Sequence, residues 1–152
     1  MSIENHKQHG PPDFKIAGFC VWVFGREFDA AEDYWDGNWL RVLAQCGAEG
    51  AIVRASGAIL HLSEVQRWLE QLRPLHASLT GSAELACIEP YLNAKVDLKD
   101  GRGTLVVDIT PDHLTQQHKF EFEVDQSYLP ELISALERLL REYPVRGRPN
   151  GS

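Results

Sequence analysis

Asp29, Glu32, Asp33 and Asp36 crowd into one short stretch of chain, with Tyr34, Trp35 and Trp39 threaded among and just beyond them. Carboxylates at this density suit a divalent cation, a plain solvated connection or the attraction of a basic partner. The cation fits worst. A calcium loop needs oxygen ligands at alternating positions and a bidentate glutamate further on, and Asp33-x-x-Asp36-Gly37-Asn38 supplies neither. Asp-Gly-Asn is instead a strong turn signal, which leaves the rings to be explained. Either they fold back as an aromatic lid over the open end of a sheet, or they stand partly exposed as an anchor for a protein partner, rimmed by the four acids.

Glu89 is the other carboxylate with chemical interest. Counting by two puts it on one face with Leu85 and Cys87, while Glu84 points the opposite way. A carboxylate on a buried face must be paired or hydrogen-bonded, or its pKa rises. Glu89 reads either as a strand-end residue bonded to backbone amides just before Pro90, or as a binding or acid/base group in a cleft. The second option describes a small-molecule hydrolase, isomerase or ligand-binding module. His61, His76, His113 and His118 are scattered, and the last two are poorly spaced for a metal. The chain has no GxGxxG, GxxxxGK[ST], GxSxG, HExxH or CxxC pattern. No catalytic residue, metal ligand or cofactor is assigned.

Any such site is held by the elements around it. Residues 14–25, FKIAGFCVWVFG, read as a strand, and two more follow at about 39–48 and 51–57. In the second strand Leu40, Val42, Ala44 and Cys46 form the apolar set, so Trp39 falls on the outer side with Arg41, Leu43 and Gln45. Ser63 before Glu64-Val65-Gln66 reads as a capping box. The helix it opens carries Val65, Trp68, Leu69, Leu72 and Leu75 on one face, and Pro74 helps to end it. Strands then alternate over 83–89, 92–98, 104–110 and 119–124, with a hairpin turn at Asp100-Gly101. The last three describe an antiparallel meander wetted on one side. Pro130 is tolerated in the first turn of a last helix striped with Leu129, Leu132, Leu136 and Leu139, which Pro144 stops. The order βββα-ββββα predicts an α+β fold, a largely antiparallel sheet with two amphipathic helices packed on its apolar face. One domain spans 14–144. Residues 1–13 and 145–152, rich in Pro, Gly and polar side chains, are expected to be disordered tails.

A chain of 152 residues with 43% hydrophobic and 24% charged side chains has the material for one core. No apolar run reaches the ~20 residues that span a bilayer. The polar N-terminus carries no signal-peptide pattern, so the expected compartment is the cytoplasm. Cys20, Cys46 and Cys87 are odd in number and set in apolar stretches, as reduced buried thiols are. A net charge of -7 repels nucleic acid and anionic lipid and speeds encounter with a basic partner. Basic residues are not interleaved with the aromatics as a nucleic-acid stacking channel requires. Neither nucleic acid nor membrane is an expected partner, and the oligomeric state is not legible.

Three stretches together resemble the WapI-type immunity proteins, a family of small bacterial cytoplasmic proteins that neutralise a secreted toxin domain. They are DYWDGNWLRV, SAELACIEPYL, and DQSYLPELISALERLL leading into Tyr143-Pro144. The resemblance runs from about Phe14 to Pro144. It implies a non-enzymatic, antitoxin-like binding protein whose partner is a cognate toxin domain, in that family typically a nuclease. The residues read from the sequence as candidates for partner binding are Asp29, Glu32, Asp33, Tyr34, Trp35, Asp36 and Trp39.

Overall fold

The computed structural model describes residues 9–149, so the expectations for residues 1–8 and 150–152 lie outside the described residues. The described chain forms eight strands, three α-helices and one 3-10 turn: β1 (Phe14–Ile16), β2 (Phe19–Arg26), α1 (Tyr34–Gly37), β3 (Trp39–Ala48), β4 (Ala51–His61), α2 (Leu62–Ser78), β5 (Gly81–Ala86), β6 (Leu92–Lys99), β7 (Arg102–Ile109), β8 (Lys119–Asp125), the 3-10 turn (Gln126–Tyr128) and α3 (Leu129–Glu142). The α+β class stands. The strands split into two antiparallel meanders, β1-β2-β3-β4 and β5-β6-β7-β8, where the sequence suggested one sheet. α2 packs along β5 and against α3, α3 runs beside β1, and β3 and β4 approach the second sheet at β7 and β8.

The apolar stripes meet in one core. Trp68 and Leu72 of α2, Leu132 and Leu136 of α3, Phe14 and Phe19 of the first sheet, and Leu85 and Leu105 of the second are all fully buried. The Phe14 ring meets Trp68 edge-on at 6.1 Å and Phe19 at 6.2 Å, the offset that aromatic quadrupoles favour. In the second sheet Leu92, Ala94, Val96 and Leu98 face this core, and Asn93, Lys95 and Asp97 face outward, as alternation requires.

Four local readings change. Residues 14–25 form a hairpin, because Ala17 at φ 50° and Gly18 reverse the chain; a Cβ on Gly18 would collide with the Gly47 carbonyl. β4 runs on to His61 through an irregularity opposite Leu40–Val42, so His61 caps α2 and Ser63 lies inside the helix. The capping box pairs His61 with Glu64, where the sequence suggested Ser63 with Gln66. Pro74 is tolerated inside α2, which ends at Leu79 in the left-handed region (φ 65°), its N–H donating to the Leu75 carbonyl. Finally, Leu43 on the outer face of β3 is 1% exposed, beside its buried register partner Trp22. The Trp22 indole in turn donates to the Gly10 carbonyl at 2.9 Å.

The two ends of the described chain make contacts where free tails were expected. Asp13 donates its N–H to the Val21 carbonyl at 2.8 Å and accepts from the Val23 N–H at 2.6 Å through its carboxylate. At the other end, Arg146 is hydrogen-bonded to residues around α1.

Candidate partner-binding site

The DYWDGNW stretch folds as a single helical turn. Asp33 caps it: its carboxylate accepts from the Asp36 N–H at 3.0 Å, and its carbonyl accepts from the Gly37 N–H at 3.0 Å. Gly37 is buried so closely that a Cβ would lie 2.6 Å from the Ala31 carbonyl. Thus Asp-Gly-Asn ends a helical turn, and β3 begins at Trp39.

A buried polar clasp fixes that turn. The Asn38 side chain donates to the Tyr34 carbonyl (2.7 Å) and the Arg146 carbonyl (2.8 Å), and accepts from the Arg146 N–H (2.8 Å). Arg26, also buried, donates to the carbonyls of Gly37 (2.5 Å) and Pro144 (2.6 Å), and its guanidinium lies over the Tyr143 ring. Burial, followed by the charge of Arg146, lowers the Arg26 pKa from its ordinary value. Carbonyl dipoles thus compensate a buried cation, as a desolvated charge demands. Arg146 reaches outward to the carbonyls of Asp29 (2.6 Å) and Ala31 (2.8 Å). Two segments more than a hundred residues apart in sequence are thereby tied together.

His61 stands at the centre of the rings. Its Nε2 faces the carbonyls of Tyr34 and Trp35, each at 3.2 Å, and a carbonyl only accepts. The proton therefore sits on Nε2, leaving Nδ1 to accept from the Ser63 hydroxyl (2.7 Å) and the Ser63 N–H (3.3 Å). Burial lowers the His61 pKa, and the two carbonyls partly restore it. The centroids of Trp39, Tyr34 and Trp35 lie 4.8, 5.4 and 5.6 Å from that of His61. Tyr34 and Trp39 are half-buried. Trp35 is 52% exposed, edge-on to Tyr34 at 5.4 Å.

The structure therefore gathers Tyr34, Trp35 and Trp39 around one imidazole, the first two forming part of a lid and an outward ring respectively. Asp29, Glu32, Asp33 and Asp36 are exposed on the same connection. His61, Asn38, Arg26 and Arg146, which hold the arrangement, were not singled out by the sequence reading. Only Asn38 offered a signal, as the residue closing Asp-Gly-Asn.

Glu89 lies half-buried in the bend after β5. The fully buried carboxylate is Glu64, 1% exposed, which accepts from the His61 N–H (2.8 Å) and the Ile88 N–H (2.6 Å). Burial raises the Glu64 pKa against the pull of those donors. Burial and then the Glu64 charge push the Cys87 thiol well above its ordinary value. An open cleft of about 560 Å³ lies between residues 11–15 and α3, and another of about 610 Å³ borders β7 and β8; Glu89 lines neither.

The acidic connection is thus anchored from two distant segments of the chain and carries an outward tryptophan. A profile of the immunity protein WapI-like family matches residues 14–144, most of the chain. The chain belongs to this family. No curated protein and no solved structure matches it. Membership supports an immunity role and, in general terms, a toxin partner. Among the described residues no helix is long and apolar enough to cross a membrane.

Proposed function

We propose that this protein binds and neutralises a cognate bacterial toxin domain in the cytoplasm without catalysing a reaction, and that the toxin is a basic nuclease. The carrying observation is Trp35: half its surface is exposed, while its backbone carbonyl is held by His61 and its helical turn by Asn38 and Arg146. A large ring pre-positioned on a fixed backbone loses little entropy on binding, which is what an interface anchor needs. Asp29, Glu32, Asp33 and Asp36 around it match a basic cleft of the kind that holds nucleic acid. The outer face of the second sheet, which carries Asp97, Asp108, Glu121 and Glu123 together with Lys95 and Lys119, is a second candidate surface.

Binding kinetics against the toxin domain encoded beside this chain test the proposal over a salt series. Trp35→Ala is expected to cost ~2 kcal/mol or more, mainly through faster dissociation. Asp33→Asn is expected to slow association and flatten its salt dependence, since exposed charges are screened beyond ~8 Å at physiological ionic strength. Binding that ignores salt and both substitutions, with the variants folded, removes this surface from the interface.

A further inference from the structure

A sheet of four strands has two edges, and unpaired edges are ordinarily blunted. Three of the four here are. β1 has three residues and runs beside α3. β5 is guarded by α2, whose Gln71 side chain accepts from the Glu84 N–H at 2.7 Å. β8 carries Lys119, Glu121, Glu123 and Asp125 at every second position. β4 differs: eleven residues long, AIVRASGAILH, it has one formally charged side chain, Arg54, and no strand among the described residues pairs with its outer side.

The register shows which groups face outward. Gly47 donates to the Gly18 carbonyl at 3.0 Å, so its backbone faces β2. Backbone groups alternate, so Gln45 and Leu43 also face β2, while Cys46, Ala44 and Val42 face β4. Their partners on β4 are Val53, Ala55 and Gly57. The N–H and C=O groups of Ile52 and Ser56 therefore point away from the sheet. The Ile52 side chain is 53% exposed and Ser56 is exposed as well.

We infer that the outer edge of β4 receives an extended strand from the protein toxin, adding a fifth strand to the first sheet. This rests on the reading of the chain as a toxin-binding protein and names a second part of the interface. The edge selects its occupant, because main-chain groups spaced along a strand are matched by another extended backbone. It also leads into the candidate site: β4 ends at His61, opposite Trp39, so a strand lying along Ile52–Ser56 extends toward the Trp35 turn. A second copy of this chain fits less well. Antiparallel self-pairing with Ile52 opposite Ser56 sets Arg54 against Arg54, and directly opposed like charges destabilise a sheet.

The test uses the full chain and the purified, catalytically inactivated toxin domain encoded beside it, followed by amide hydrogen exchange and binding kinetics. Expected are slowed exchange at the Ile52 and Ser56 amides in the complex, and binding weakened about tenfold by Ser56→Pro, the scale of losing one or two main-chain hydrogen bonds. Proline there removes an outward N–H and leaves the rungs to β3 in place. Ile52→Pro serves as the second variant, and the exchange data on the parent protein decide the matter if both variants unfold. Toxin binding with both amides unprotected overturns the edge and leaves the proposed function standing. Protection already present in the free monomer, or in a dimer of this chain, gives the edge to another occupant and overturns it too. Failure of the parent chain to bind the toxin overturns both.

Discussion

The β6–β7 hairpin and the α1 turn both reverse the chain around an Asp-Gly pair, yet different physics holds them. Asp100 and Gly101 take φ 51° and 83°, the left-handed pair that a tight hairpin with twisted strands requires. Their neighbours Lys99 and Arg102 are register partners, and the turn also docks through its backbone: the Gly101 N–H donates to the Leu79 carbonyl (2.8 Å), its carbonyl accepts from the Gln126 N–H (2.8 Å), and the Asp100 N–H donates to the Thr80 hydroxyl (3.0 Å). Asp36 and Gly37 instead end a right-handed turn capped by Asp33, where glycine is needed for its close approach to Ala31. That turn is held by Arg26, eleven residues before Gly37, and by Arg146, more than a hundred residues after it. One dipeptide thus has two structures: the hairpin follows from its own left-handed pair and is bonded through its backbone, while the clasp depends on the side chains of Arg26 and Asn38. The second arrangement is also the one that leaves a ring facing outward.

The sharpest way to set the two regions apart is to damage what they share. Leu136→Ala in the fully buried stripe of α3 is expected to cost about 2–5 kcal/mol in denaturant unfolding, the range for a truncated core leucine. The folded variant is expected to keep the Trp35 environment, because the clasp relies on polar contacts elsewhere. A stability equal to the parent's means that the α3 stripe is not core.

That asymmetry also explains what was legible beforehand. Strands β6, β7 and β8 and helix α3 follow from period and turn chemistry, since each buries one face against the same core. Their residues carry the signal themselves. The capping of α2 was misplaced because His61 takes the part usually played by a small polar residue, and an irregular register extends β4 to reach it. Arg26 and Asn38 give no periodic signal: a buried polar side chain is intelligible only with its acceptors, here at Gly37, Pro144 and Arg146. The same long-range bonds hid the role of Arg146. Tyr34, Trp35 and Trp39 were found by type, while the division between packed and outward rings depended on where His61 lay.

Next in size is the clasp itself. Asn38→Ala strands the Tyr34 and Arg146 carbonyls and the Arg146 N–H, and buried groups left unsatisfied cost about 1–3 kcal/mol each at most. A loss of about 2–4 kcal/mol is expected, with Trp fluorescence shifting as the turn loosens. Ending the chain after Pro144 removes the Arg146 contacts while leaving Asn38, so about 1–2 kcal/mol is expected by the same reasoning. Asp100→Ala in the hairpin, by contrast, is expected to cost about 1 kcal/mol, the strain of a left-handed alanine. Equal costs for Asn38→Ala and Asp100→Ala would erase the distinction between a turn clasped by side chains and one bonded through its backbone.

A pH measurement probes the clasp through His61 and Glu64. The His61 pKa is lowered on folding, so its contribution is full above the ordinary value of 6.5 and is lost as pH falls through the folded value. The Glu64 pKa is raised, so its contribution is full below 4.5 and is lost as pH rises through the folded value. Rising pH therefore lowers stability through Glu64 above 4.5 and raises it through His61 below 6.5. Glu64→Gln removes one of them, and it also turns an amide NH2 toward a backbone donor, which lowers stability at every pH. The diagnostic quantity is the slope: stability of Glu64→Gln is expected to rise more steeply with pH across that window than the parent's. Parallel curves would show that Glu64 does not titrate there.

The smallest expected effect on stability separates the two readings of the rings. Trp39 is half-buried, its ring edge-on to His61 at 4.8 Å and its backbone in β3, so Trp39→Ala opens a gap over a buried imidazole. A loss of about 1–2 kcal/mol is expected, below that of a fully buried aromatic because part of the ring already meets water. Trp35 is 52% exposed and its fixed contacts run mainly through its carbonyl, which alanine retains. Trp35→Ala is therefore expected to change stability by roughly 0.5 kcal/mol, the scale of a surface substitution. The two variants are compared by thermal unfolding and by toxin affinity on the same samples. An anchor loses affinity while the fold stays intact, and a lid loses both together. If Trp35→Ala destabilises as much as Trp39→Ala, the ring belongs to the lid and the acidic turn has no outward anchor.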